Sequence, residues 1–174
     1  MARVLENREL DMTEEVVEYA RPADTEPPTP DLPTVGGCVQ LPQTWDSSAG
    51  KIQNLVEHAC GGVGIIHSRK GSVRANHWHN EDWHYLYVVS GLIAYTEWPP
   101  GQHHPSDYLF GSKVTEDECA VWSETTALTV GPCQMIFTPP KRSHRLEFLE
   151  DTVMISISKL SRRHSEHERD VVRL

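Results

Sequence analysis

Runs of strand length rich in apolar, aromatic and β-branched residues, some alternating with polar ones, recur along this chain after residue 35 and are broken by glycine, proline or acidic pairs. Gly62–His67 is an apolar run of that kind, and Trp83–Ser90 is rich in aromatic and β-branched residues and closes on Gly91. Leu92–Trp98, Gln134–Thr138, His144–Phe148 and Thr152–Leu160 follow the same pattern, while Lys51–Val56 alternates imperfectly. Between Lys113 and Val130 the pieces Ala120–Trp122 and Ala127–Val130 are the best strand candidates, and the prolines and glycines of Pro99–Ser112 predict a loop. Helical periodicity is weak and no solenoid repeat is present. Many short strands with turn signals between them predict an all-β barrel of the jelly-roll type.

The ends read differently. Residues 1–35 are acidic and then proline-rich, with Pro22, Pro27, Pro28, Pro30 and Pro33 excluding regular structure from their second half. They predict an extended N-terminal arm, either disordered or packed on a second copy to build a homodimer. Residues 36–160 form the barrel, and 161–174 read as an exposed, charged C-terminal tail. A length of 174 residues asks for one domain with extensions.

Candidate chemistry concentrates in 71–91, GSVRANHWHNEDWHYLYVVSG. On a strand, alternate side chains share a face, so His77 and His79 project together and Trp78 opposes them. If the strands on either side of the polar break Asn80-Glu81-Asp82 pair as a hairpin, His84 returns beside the first two. One histidine alone is more often a satisfied core residue, but three so close together predict a metal site, since imidazole is the commonest protein ligand and such ions need several convergent donors. Downstream, His144, Leu146 and Phe148 share one face of their strand while Arg145 and Glu147 face water. His58 and His67 have no partner at ligand spacing, and His103-His104 are adjacent on the loop, a poor arrangement for one ion.

This stretch resembles the first motif of the cupin superfamily: glycine, five residues, His-x-His, a short gap, glutamate, six residues, glycine. Gly71, His77, His79 and Gly91 fall at the expected places, with His84 at the glutamate position. The second cupin motif resembles CQMIFTPPKRSHRLEF, where Pro139 and His144 match, Cys133 and Lys141 replace the glycines and Phe148 replaces the asparagine. The resemblance, over Val63 to Ser158, implies a cupin-type jelly-roll β-barrel with His77, His79, His84 and His144 as ligands of a divalent ion: Zn, Fe, Ni, Cu or Mn. Arg74–His79, an Arg-x-Asn-His-aromatic-His run, is similar to small cupins of sugar-nucleotide and polysaccharide biosynthesis, which implies isomerase or epimerase chemistry.

If Gly91 turns the chain as in cupins, Ile93, Tyr95 and Glu97 face inward, and Tyr95 and Glu97 become candidates for moving protons; a register slip by one would exchange the faces. Four neutral imidazoles leave the ion's double charge uncompensated, which favours anionic or enolisable oxygen ligands and Lewis-acid action on a carbonyl. The leading reading is therefore a metal-dependent enzyme of isomerase, epimerase or cyclase type acting on a small carbonyl or sugar-type substrate. The alternatives are a cupin dioxygenase, a metal-free nucleotide-sugar epimerase or isomerase with a histidine base, and a non-catalytic ligand- or metal-binding cupin. A net charge of −9 argues against nucleic-acid and anionic-membrane partners. No apolar run is long enough to cross a bilayer. Cys38, Cys60, Cys119 and Cys133, widely spaced without a secretory signal, predict reduced thiols in the cytoplasm, each a small buried hydrophobe.

Overall fold

The computed structural model describes residues 32–102, 104 and 123–174. Residues 1–31 of the arm, His103, Cys119 and the strand piece expected at Ala120–Trp122 lie outside them. The alternating runs become β1 (Gly37–Val39), β2 (Thr44–Ser47), β3 (Gly50–Gln53), β4 (Gly62–Ser68), β5 (Val73–His79), β6 (His84–Ser90), β7 (Ile93–Trp98), β8 (Thr126–Val130), β9 (Met135–Thr138), β10 (Ser143–Phe148) and β11 (Thr152–Ser158). A helix α1 (His164–Asp170) and a strand β12 (Val171–Arg173) end the chain.

One sheet has the order β1-β9-β6-β11-β4, the other β12-β5-β10-β7-β8, and β2 with β3 forms a separate hairpin. Every pairing is antiparallel, as the jelly roll requires. The expected barrel is not closed: among the described residues no ladder joins the two sheets, each of which ends in strands with a single partner. Between the sheets lies a core of Leu86, Val88, Ile93, Tyr95, Val130, Ile136, Leu146, Phe148 and Met154. A second cluster of Trp83, Tyr85, Met135, Phe137 and Ile157 is packed by Leu32, Val39, Leu41, Leu55 and Val56. β6 thus buries both faces, which is why its sequence is a nearly continuous apolar run. β7 turns Ile93, Tyr95 and Glu97 to the interior, and β10 does the same with His144, Leu146 and Phe148, as their alternation predicts.

Three expectations are corrected. β5 and β6 do not form a hairpin: β5 pairs with β10 and β12, while β6 pairs with β9 and β11. The connection 80–83 crosses from one sheet to the other, and the Glu81 and Asp82 amides donate to the Asp170 carboxylate, which holds the crossing in place. Residues 161–174 are likewise no exposed tail. β12 extends the sheet at the edge of β5, with Val171 opposite His79 and Arg173 opposite His77, and Asp170 and Val171 are buried. The third concerns the cysteines: Cys38, Cys60 and Cys133 are free as expected but exposed, Cys133 sitting at a turn with φ 63°.

Gly91 makes the turn between β6 and β7 at φ 92°. A Cβ there would lie 2.5 Å from the Asp151 carbonyl oxygen and 2.7 Å from the Thr152 Cα, both backbone atoms that cannot swing away. Gly91→Ala is expected to lower stability by about 2 kcal/mol or more, read as a shifted urea midpoint at constant slope. An unchanged midpoint would show that the turn relaxes.

Candidate functional site

The four predicted histidines meet, although they arrive from both sheets. His77 and His79 come from β5, His144 from β10 directly opposite His77, and His84 from the first position of β6 across the sandwich. Ring centroids are 4.8 Å apart for His77–His79, 4.9 Å for His77–His144, 5.3 Å for His79–His84 and 4.9 Å for His84–His144. Ligand atoms of His77, His79 and His144 all lie within 4.8 Å of one another, as do those of His79, Asp82 and His84.

A β-bulge makes the arrangement work. Ala75 and Asn76 have φ 65° and 59°, and the ladder passes from Arg145 opposite Ala75 to His144 opposite His77, leaving Asn76 unmatched. In a regular strand Arg74 and His77 would face opposite sides; with one residue taken up by the bulge, both line the same cavity.

Burial sets the charge state. Desolvation lowers His77 to a pKa of about 3, helped by the neighbouring His79, and His79 to about 4 against the opposing pull of Asp170. His84 and His144, wholly enclosed, are pushed well below the ordinary histidine range, again by desolvation first and then by neighbouring imidazoles. All four are neutral at pH 7. Above pH 6.5 these rings are neutral in both the folded and the unfolded chain. Below it the unfolded chain protonates first, so metal-free protein is expected to lose stability as pH falls, until the folded His79 and His77 themselves take protons near pH 4 and 3. Urea midpoints measured across this range check it; a flat profile would contradict the buried, neutral cluster.

Hydrogen bonds assign the tautomers. The buried His79 Nδ1 lies 2.9 Å from Asp170 Oδ2 and donates to it, and His144 Nδ1 donates to the Arg142 carbonyl at 3.1 Å. Each ring is therefore left with a lone pair on Nε2. His77 Nε2 sits 3.2 Å from His79 Nε2, so either His77 donates a proton there or both lone pairs face a shared cation. His84 Nδ1 is buried and has no hydrogen-bond partner among the described residues. Converging neutral nitrogens, one of them orphaned, with a carboxylate behind His79, fit a divalent ion of the zinc, iron, nickel or copper kind.

His77, His84 and His144 open onto a cavity of about 370 Å³, within the range of small-molecule sites. Tyr95 and Glu97 do not line it. The Tyr95 hydroxyl donates to Glu97 Oε2 at 2.8 Å and sits 3.0 Å from Thr138 Oγ1, while Glu97 Oε1 accepts from Arg142 Nε at 2.9 Å and from the Gly36 amide at 3.0 Å. Desolvation, reinforced by Glu97, pushes the Tyr95 pKa well above 10. His58 packs edge-on against Trp83, and His67 is exposed on β4. Sequence reasoning missed Arg162, His167 and Asp170, all brought in by the C-terminal segment. Their signal was a valine pair, Val171-Val172, too short to register as a strand.

No protein-family model matches the chain, and no curated protein matches it. Solved structures do. A double mutant of the QdtA 3,4-ketoisomerase of Thermoanaerobacterium thermosaccharolyticum in complex with TDP superposes with a TM-score of 0.57 at 12% identity, over 82% of this chain and 90% of that one. The fold is the cupin jelly roll. The WlaRB TDP-quinovose 3,4-ketoisomerase of Campylobacter jejuni gives 0.57 at 10% over 80% and 92% of the chains. The dTDP-4-dehydrorhamnose 3,5-epimerase of Sulfolobus tokodaii gives 0.54 at 16% over 77% and 74%. Among the described residues no helix is long and apolar enough to cross a membrane.

Proposed function

We propose that this cupin is an isomerase or epimerase of a carbonyl-bearing, sugar-type substrate, and that His77, His79, His84 and His144 hold a divalent metal ion at the base of its cavity. The observation that supports this most is the clustering of four neutral imidazoles, two with their tautomers fixed by bonds to Asp170 and to the Arg142 carbonyl, three of which, His77, His84 and His144, line the cavity. The fold it shares with sugar ketoisomerases and epimerases favours the same substrate class, without deciding it.

A bound ion would supply Lewis-acid polarisation of a substrate carbonyl. With its lone pair given to the ion, His77 is not free to move a proton; only in the metal-free reading below can it, facing the cavity, accept one from the carbon beside that carbonyl and return it, as isomerase and epimerase chemistry both require. Ile66, Leu86, Leu146 and Met154 exclude water from the same wall.

Elemental analysis of protein purified without a histidine tag tests the metal, with His77→Ala/His144→Ala as control. Near-stoichiometric metal in the native chain, lost in the control, is the expected result. The reaction class is tested by exchange of the proton beside the carbonyl of a keto-sugar nucleotide in deuterated water. A second reading has its own observation, the buried His79–Asp170 pair, which also suits a metal-free histidine base. Full exchange in strong chelator, with no metal in either protein, would transfer the proposal to it.

A further inference from the structure

The cavity is unbalanced in charge. Arg74 and Arg162 stand on its walls with the imidazoles of His77, His84, His144 and His167, yet among the described residues no aspartate or glutamate lines it, in a chain whose net charge is −9. Most of the remaining wall is aliphatic. Arg74 is tied to neutral acceptors, its Nε donating to Ser68 Oγ at 2.7 Å and Nη2 to the His67 carbonyl at 3.2 Å, and among the described residues no carboxylate pairs with it.

Arg162 is built in more deliberately. It comes from the segment that folds back ahead of α1, and its side chain is two-thirds covered, at 34% exposure. It forms an ion pair with the buried Asp82, whose Oδ2 is 3.6 Å from Nη2, too long for a hydrogen bond, so its donors are not spent on that carboxylate. Its Nη1 lies 3.2 Å from His167 Nδ1. A guanidinium only donates, so His167 Nδ1 accepts, and the proton of that ring sits on Nε2. Two donors from one C-terminal segment, a fork and an N–H, thus stand on the wall that also carries the neutral imidazoles.

We infer that the substrate is a small anionic carbonyl compound, its charged oxygens held by Arg162 with His167 beside it and its least polar face on the aliphatic wall, so that Arg162 selects for the anion and positions the carbonyl toward the histidine cluster. This rests on reading the cavity as the substrate site and is independent of whether a metal is bound. A carboxylate and a phosphate share the required chemistry, because a guanidinium fork engages either in bidentate fashion.

The test is calorimetric titration with three ligands of matched aliphatic body: the oxo acid of leucine, isoamyl phosphate and the neutral isobutyl methyl ketone. At least one anion is expected to bind wild-type protein roughly tenfold or more tighter than the ketone, the usual worth of a charge-assisted hydrogen bond, and the preferred anion names the head group. Arg162→Gln should erase that preference and Arg162→Lys keep part of it, since the charge remains and the fork is lost. Should Arg162→Gln fail to fold, the wild-type preference for an anion over the ketone, with its weakening at high salt, still decides. Equal binding of ketone and anions, a preference that survives Arg162→Gln in folded protein, or no binding by any of the three overturns the inference. Metal content measured on the same samples keeps the two proposals apart: selective anion binding in chelator-treated protein leaves the inference standing where the metal reading fails, and metal-loaded protein without anion selectivity does the reverse.

Discussion

Asp170→Ala is expected to cost about 3–5 kcal/mol, because one buried carboxylate serves three donors at once. It accepts from His79 Nδ1 at 2.9 Å, from the Glu81 amide at 2.8 Å and from the Asp82 amide at 3.2 Å. Its backbone carbonyl takes the Asn80 amide and the Asn80 side chain, both at 3.0 Å. The same residue therefore closes the crossing between the two sheets, starts the β12 addition to β5 and holds His79 with its Nε2 lone pair toward the other imidazoles. Asp170→Asn separates these roles. The amide keeps one acceptor oxygen for the Glu81 amide but presents none to His79 or to the Asp82 amide, so it should retain part of the stability. Losing a carboxylate behind a metal-ligating histidine usually weakens the site about 10- to 100-fold. Urea unfolding and metal titration of both variants check the two halves. Native affinity in Asp170→Asn would show that the carboxylate does not orient the ring, and a loss below about 1 kcal/mol in Asp170→Ala would show that it does not hold the crossing.

Glu97→Ala should be comparably damaging for a different reason. Glu97 is fully buried, and Arg142, whose side chain is 13% exposed, points its Nε at it from 2.9 Å. Removing Glu97 leaves a nearly enclosed guanidinium with only Glu124, its exposed carboxylate 3.8 Å from Nη1 and its carbonyl 2.6 Å from Nη2, a loss of about 3 kcal/mol, the low end for a broken buried pair. It also strips the acceptor from the Gly36 amide and the Tyr95 hydroxyl. Tyr95→Phe removes a single donor and should cost about 1 kcal/mol, with turnover unchanged. Thermal or urea unfolding measures both. If Tyr95→Phe abolishes proton exchange while the fold persists, Tyr95 regains the proton-moving role suggested by its inward position in the sequence, and the cavity must reach further along β7 than the structure shows.

The candidate site was partly legible. His77 and His79 on one strand face, and His144 followed by inward Leu146 and Phe148, follow from the twofold repeat of a strand, which needs no knowledge of its neighbours. Tyr95 and Glu97 were placed on the correct face by the same rule, yet a face is shared by core and cavity alike, and only the positions of Arg142, Thr138 and Gly36 show that their polar atoms are engaged elsewhere. Arg162, His167 and Asp170 were invisible for a related reason. They sit in a charged segment whose burial depends on an edge of β5 lying open to receive three residues from the end of the chain.

What the sequence by itself determined is therefore whatever a local period can encode: an all-β chain, strands at β4, β6, β7, β9, β10 and β11, their inward faces, and a histidine cluster in 77–84 with a fourth member at His144. Tertiary structure alone decided that β5 and β6 lie in opposite sheets, that a bulge at Ala75 and Asn76 turns Arg74 into the cavity beside His77, and that the C-terminal segment supplies a carboxylate behind His79 and a cation facing the cavity. The physical reason is the same in each case. Strand periodicity is a property of neighbouring residues, whereas sheet order, bulges and the burial of a charged segment depend on hydrogen-bond partners tens of residues away, which leave no repeating mark on the chain.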